Sequence, residues 1–508
     1  MRRVLTLISV ALLLTGWSAT AGLPRTETQQ KLSRMASAEP LRSSSVGIFA
    51  MRMSGDTLVD INRMVKLVPA SNMKLITTGL ALRRLGADFR FETRIAYSGK
   101  IEDGTLKGDL YIVGGGDPTT GSNADCAEPL GSLFSKWAGF ISDAGISRIE
   151  GRVIADPRVL GDAVPVNLNW NFEDLGTNYG AGPTGLNFFE NAQNFYVTPG
   201  SAAGLAPYVT TRYPETPWMK YVNAATTGGR GSSNSVVYIP ERLGPEGMFY
   251  GSFPIDRKGY TLECSNAFAA YTCAYYFCRY LRTHRIAVDG GFADINSFGY
   301  IRTEPGSQAI GTRAAAQREL STLGSTWSAP LSEIIAETNC ESDNFFAETL
   351  LRTAGLKACG SYLYEDCCKV EEDALKTMGV RVSGACQIID GSGLSRKNYV
   401  SPDFFVSYLR SYASTADYGT FLSSLPVPGR KGTIKDKFPN TSESYRSRFH
   451  FKSGSMNGVR CYSGYILSED GDPSKTIVFS LMLNNVTVSS WAINPYIDGI
   501  IEAIAAGN

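Results

Sequence analysis

Histidine is nearly absent: the chain of 508 residues holds two, His284 and His450. It also contains no C-x-x-C pair. That inventory argues against a zinc site, so no metal and no cofactor are expected. An excess of one charge is missing too: 49 Lys and Arg stand against 48 Asp and Glu, a formal net charge of +1, with no long basic run. Nucleic acid or an acidic surface is thereby set aside as the main partner. Gly114 to Gly116 lacks the G-x-G-x-x-G or P-loop Lys context of a phosphate site and reads as a tight turn between strands. There is no internal repeat and no low-complexity tract.

The length predicts two or three domains, and the aromatic, Gly and apolar content is that of a soluble globular protein. Arg2 and Arg3, the apolar run Val4 to Leu14 and the small-x-small site Ala19-Thr20-Ala21 read as a signal peptide over residues 1–21. The run is too short to span a bilayer, and no Cys follows it to carry a lipoprotein anchor. An exported, periplasmic protein without a transmembrane anchor is the expectation. Export gives ten cysteines a meaning: at least one local disulfide is expected among Cys359, Cys367, Cys368 and Cys386.

Periodicity sets out the elements in chain order. Ile48 to Met51, a Ser54-Gly55-Asp56 turn and Thr57 to Ile61 predict a hairpin, followed by a buried helix from Ser71 to the Gly86 cap. Strands are expected at Thr93 to Tyr97, Asp109 to Val113 and Ile149 to Asp156, with a helix over Leu130 to Asp143. Residues 165–251 are turn-dense and β-rich. Helical texture returns at Cys264 to Thr283, Leu331 to Leu351 and Ser401 to Tyr412. The chain ends in strands at Arg448 to Lys452, Cys461 to Leu467 and Thr476 to Leu483, and a last helix from Asn494.

Chemistry concentrates in three short motifs. Pro69-Ala70-Ser71-Asn72-Met73-Lys74 opens the first helix, where positions i and i+3 share a face, so the Ser71 hydroxyl and the Lys74 amine can meet. A desolvated Lys loses its proton near neutral pH and can take that of a serine. Ser342-Asp343-Asn344 lies in a loop between helical segments, and Lys452-Ser453-Gly454-Ser455 follows the strand-like Phe449-His450-Phe451. Together these are the elements of an active-serine site of the penicillin-recognising kind. Ser342 can pass a proton between Lys74 and a leaving amine, and the Asn344 amide can hold a substrate peptide group. Lys452 and Ser453 can seat a carboxylate, and the N–H groups of Ser71 and Ser455 can form an oxyanion hole. Rival S-x-N and Y-x-N matches at Ser232-Ser233-Asn234 and Tyr221-Val222-Asn223 lie in the Gly-rich middle without a helical flank. A Ser-His-Asp triad would have to use His284 or His450.

On these residues the sequence resembles the serine D-alanyl-D-alanine carboxypeptidase/endopeptidase family of the penicillin-binding protein 4 type. Leu67 to Leu75 is similar to that family's L-x-P-A-S-x-x-K-L, and Gly108 to Pro118 to its G-D-L-x-x-x-G-x-G-D-P. Asp390 to Arg396, with Asn398 and Ser401-Pro402, is similar to its D-G-S-G-L-S-R-x-N-x-x-S-P. The third motif carries Ser453 where the family usually has Thr. The resemblance implies an α/β (α+β) β-lactamase/transpeptidase-like core, residues 22–91 and 299–508, interrupted by a β-rich insertion over 92–298 with one domain nested inside another. It implies release of the terminal D-alanine from peptidoglycan stem peptides, cleavage of D-alanyl cross-links, and acylation of Ser71 by β-lactams. Asp156 is the candidate for binding the amine of the stem-peptide diamino acid. A homo-oligomer is compatible with the resemblance. Two alternatives stay open: a β-lactamase or esterase on the same core, against which stands the lack of a well-placed E-x-x-L-N segment, and a non-catalytic wall-binding protein.

Overall fold

Eight consecutive buried residues, Ile477–Asn484, form a strand that water reaches from neither face, the pattern of a sheet covered on both sides. In the computed structural model, which describes residues 27–161, 166–240, 245–295 and 319–507, this strand is the centre of a five-stranded antiparallel sheet. The order is Thr57–Ile61, Ser45–Arg52, Ile477–Asn484, Val459–Ile466, Phe449–Met456. One face packs under the helices Glu27–Ala36 and Ser490–Ala505, through Leu32, Ile493, Ile497, Ile500 and Ile504. The other face carries the helical layer in which Met73–Leu85 is central: its first ten residues are all buried. Around it stand Leu331–Cys340, Asn344–Cys359, Tyr364–Thr377 and Pro402–Tyr412. The hydroxyls of Tyr408 and Tyr412 donate to the Leu75 and Gly79 carbonyls (3.1 and 3.0 Å), fixing the central helix to its neighbour. Phe449–Met456 is an edge strand of the sheet, and at Gly454 its face meets the start of the central helix.

The segment read from the sequence as an insertion opens with the strand Glu92–Tyr97. Its main sheet runs Phe292–Asp294, Val153–Asp156, Leu110–Gly114, Glu92–Tyr97, Ser321–Trp327, with parallel pairs on one side and antiparallel pairs on the other. The helices Leu130–Asp143 and Ala269–Thr283 close over it, Trp137 meeting Phe277 edge to face at 5.3 Å. This outer unit is therefore α/β, and the β-rich texture belongs to the nested unit, where small sheets between Ala192 and Ser265 enclose Phe195, Tyr238, Phe249 and Phe253. The strand Ser321–Trp327, read from the sequence as part of the returning core, pairs with Glu92–Tyr97. The boundary at 298/299 and the signal peptide at 1–21 fall outside the described residues.

Two local expectations are corrected. The helix expected from Cys264 starts at Ala269, because Tyr260–Ser265 pairs with Ala192–Thr198 and the Asn266 side chain then accepts from the Phe268 N–H in a tight turn. The expected local disulfide does not form: all ten cysteines are free thiols. Cys367 and Cys368 point into the core, and Cys359 and Cys367 each rest against the Ser361 carbonyl. Among the described residues, no helix is long and apolar enough to cross a membrane.

Candidate active site

Ser71 sits on a short 3-10 turn, Ala70–Asn72, that runs directly into the helix Met73–Leu85. The turn is strained: Ala70 has φ 47°, the left-handed region that a side chain disfavours. Surrounding contacts hold it there. Asn72 is fully buried and donates to Ser463 Oγ at 2.7 Å, pinning the turn to the central sheet. Gly393 lies so close that a Cβ there would collide with the Ala70 carbonyl oxygen. Strain held by several independent contacts is a common mark of a reactive position.

Lys74 is fully buried, and its three N–H donors have one acceptor each. They go to Ser71 Oγ at 3.0 Å, Asn344 Oδ1 at 2.6 Å and the Ser392 carbonyl at 2.9 Å. Burial pulls its ammonium down to about 8, against the opposing pull of Asp343, Glu348 and Asp390. A lysine that gives up its proton this readily can serve as the base for the hydroxyl it touches.

The second motif closes the site from the helical layer. Asp343 caps the helix Asn344–Cys359 by accepting from the Phe346 N–H at 2.7 Å, which presents Asn344 to Lys74. Ser342, just before it, is held at φ 62°. The third motif closes the site from the edge strand. Lys452 is fully buried and donates to the Ser453 carbonyl at 2.7 Å; burial, then the charge on Lys74, depress its ammonium well below the usual lysine range. Ser453 Oγ shares a 2.8 Å hydrogen bond with Thr433 Oγ1. Gly454 leaves no room for a side chain: a Cβ there would stand 2.7 Å from the Pro69 carbonyl and 3.0 Å from the Ser71 nitrogen. The strand Lys452 to Ser455 thus lies against the Ser71 N–H, and Ser455 is exposed beside it.

Two supports were not singled out from the sequence. The Ser392 carbonyl is a ligand of Lys74, and Glu348 holds its loop by accepting from the Gly391 and Ser392 N–H groups (3.2 and 2.7 Å). Asp390 ties the same loop together, accepting from the Gly393 and Ser395 N–H groups, the Asn398 amide and the Trp170 indole. The inserted unit also reaches the site: the Tyr179 carbonyl accepts from Asn344 Nδ2 at 3.0 Å. Beside it, the half-buried Asp174 bonds the Tyr179 hydroxyl and feels the charge of Arg396; burial and Glu173 push its carboxyl up.

Asp156 is not in this group. It is buried in a bidentate ion pair with Arg158 (2.6 and 2.7 Å), on the wall of a separate cavity of about 820 Å³ that none of Ser71, Lys74, Ser342 or Lys452 lines. The rival motifs are elsewhere too. Ser232 to Asn234 line a pocket of the nested unit, and the Tyr221 hydroxyl is occupied by Gln193 and Thr216. His284 stacks on Tyr280 at 3.8 Å, and His450 bonds the Leu422 carbonyl.

The chain is 28% identical to a D-alanyl-D-alanine carboxypeptidase of Actinomadura sp. (strain R39) over 90% of its length and 82% of the relative's. It is 24% identical to the D-alanyl-D-alanine carboxypeptidase DacB of Haemophilus influenzae over 86% of its length and 85% of that protein's. The crystal structure of penicillin binding protein 4 from Haemophilus influenzae superposes with a TM-score of 0.76 at 21% identity, covering 93% of this chain and 99% of that one. The model of the D-Ala-D-Ala carboxypeptidase 3 (S13) family matches residues 28–293 and 303–503, and the chain belongs to that family.

Proposed function

We infer that this protein is an exported serine-type D-Ala-D-Ala carboxypeptidase that also opens D-alanyl cross-links, acting on peptidoglycan stem peptides through an acyl-serine intermediate. The observation that carries the reading is the 3.0 Å hydrogen bond between Lys74 Nζ and Ser71 Oγ in a fully buried lysine. The terminal carboxylate of the substrate is seated by Lys452, Ser453 and Thr433. Neutral Lys74 takes the Ser71 proton as Oγ attacks the carbonyl of the penultimate D-alanine. The N–H groups of Ser71 and Ser455 hold the oxyanion. As the C–N bond breaks, the proton passes from Lys74 through Ser342 to the leaving amine, and D-alanine departs. Water then attacks the acyl-serine, returning the enzyme. A β-lactam follows the first half of this path and stops at the acyl-serine.

The cationic end of a stem-peptide side chain is better met by Asp174 than by Asp156. Asp174 is partly open, next to the Tyr179 turn that touches Asn344, whereas both Asp156 oxygens are already taken by Arg158. The chain divides, on this reading, into a periplasmic catalytic core and an insertion whose last strand is Ser321–Trp327. Incubation of the purified protein with a stem pentapeptide tests the reading. Stoichiometric release of free D-alanine, lost with Ser71→Ala, is expected; an intact pentapeptide after prolonged incubation would contradict it.

A further inference from the structure

A second carboxyl group stands behind the Ser342-Asp343-Asn344 loop, and it comes from the inserted unit. Phe189, Glu190 and Asn191 form a left-handed turn, with φ of 52°, 54° and 49°. Three consecutive non-glycine residues in that region are costly, and the surroundings hold them firmly. The Phe189 N–H donates to the Thr120 carbonyl at 3.0 Å, and Asn191 Oδ1 accepts from the Phe188 N–H at 3.0 Å. Asn191 Nδ2 donates to the Gly182 carbonyl and to Asn187 Oδ1 (2.9 and 3.0 Å), with Phe188 fully buried alongside. What the strain accomplishes is to turn the Glu190 side chain inward. Its Oε1 accepts from Ser122 Oγ at 2.5 Å, and its carboxyl meets that of Asp343 within hydrogen-bonding reach.

We propose that Glu190 is a positioning residue: it shares one proton with Asp343, and that carboxyl–carboxylate hydrogen bond holds the loop that places Asn344 against Lys74. Two buried carboxyls in contact cannot both ionise at neutral pH, whereas an O–H···O⁻ pair is short and strong. Asp343 has two duties at once, capping its helix through the Phe346 N–H and accepting from Glu190, and both fix the residue between the two that touch the reaction. The charged groups facing the pair are Glu337 from the helix Leu331–Cys340 and Lys74 from the central helix. Glu337 is itself neutralised by Lys431, which also pairs with Asp125. Burial and Asp343 hold the Glu190 carboxyl up at about 8, so the shared proton is present below that pH and is lost above it. Loss of the proton leaves two carboxylates repelling each other under the loop.

The test rests on the acyl-serine reading and uses the rate of penicillin acylation in the full-length protein from pH 6 to 10. Wild-type acylation is expected to fall on the alkaline side. Glu190→Gln, whose amide donates to Asp343 at every pH, is expected to acylate without that alkaline fall. Glu190→Ala is expected to lose about tenfold in the limiting acylation rate while the pre-covalent affinity for penicillin barely moves. An alkaline fall that survives in Glu190→Gln overturns the proposal, and so does a Glu190→Ala rate equal to wild type. If Glu190→Ala does not fold, the pH profile of Glu190→Gln decides alone. Absence of any adduct in the wild type would instead overturn the acyl-serine reading itself.

Discussion

Lys74 carries the residue-scale account, because its ammonium is depressed to about 8 by burial while it contacts Ser71. The sign follows directly. Only the neutral amine can accept the Ser71 proton, and it becomes scarce below its pKa. The acylation rate is therefore expected to rise about tenfold per pH unit between pH 5.5 and 7 and to reach its maximum near 8; a stopped-flow profile with a reporter β-lactam checks this, and a profile flat below pH 8 contradicts it. At this scale the sequence was informative where the chemistry is written in side-chain spacing. Ser71 and Lys74 share a helix face, and Ser342, Asn344 and Lys452 occupy short motifs that the fold brings to them. Lys74's third partner, the Ser392 carbonyl, has no side-chain signature and so could not be read. Glu348 did leave a signal, a carboxyl in the apolar run Phe345 to Leu351, which calls for a buried partner. Asp156 pairs with Arg158, two residues away, and neither periodicity nor motif spacing reveals that pairing.

At the scale of elements, the site is the meeting of one edge strand, one helix N-terminus and one capped loop. Phe449–Met456 lies at the edge of the sheet, and Gly454 sets how closely its face approaches the Ala70–Asn72 turn. Gly454→Ala is expected to push the strand away from the Ser71 N–H by a few tenths of an ångström and to lower the acylation rate about tenfold or more, with little change in thermal stability. A rate equal to wild type would show that the strand's approach is not critical. Most elements were legible because their burial follows the expected period, as in Leu130–Asp143, where Leu133, Phe134, Trp137 and Ile141 fall on one buried face. The stretch after Cys264 was not, since Tyr260–Ser265 is a strand by virtue of its pairing with Ala192–Thr198, a long-range contact that local texture does not encode.

For the whole molecule, the segment between the first two motifs packs against the elements that carry the second motif and the Asp390 loop. Arg352, on the helix that follows the second motif, donates to the Leu160 and Pro183 carbonyls of the insertion. Trp170 bonds Asp390 at 2.9 Å, Asn167 bonds the Ile389 carbonyl at 2.7 Å, and Tyr179 meets Asn344. The long interval between Ser71 and Ser342 announced an insertion, yet nothing in it told where the loop tips would dock, because docking depends on carbonyls presented by turns. The cysteines illustrate the same limit: neighbours in sequence, Cys367 and Cys368 are directed into the core by their helix rather than toward a partner sulfur.

The central claim, that Ser71 is the acylated nucleophile, is tested most directly by intact-mass spectrometry after brief exposure to penicillin. The account predicts one covalent adduct on the wild-type protein and none on Ser71→Ala. An adduct that persists in Ser71→Ala, or a wild-type chain that never gains the mass, would contradict it.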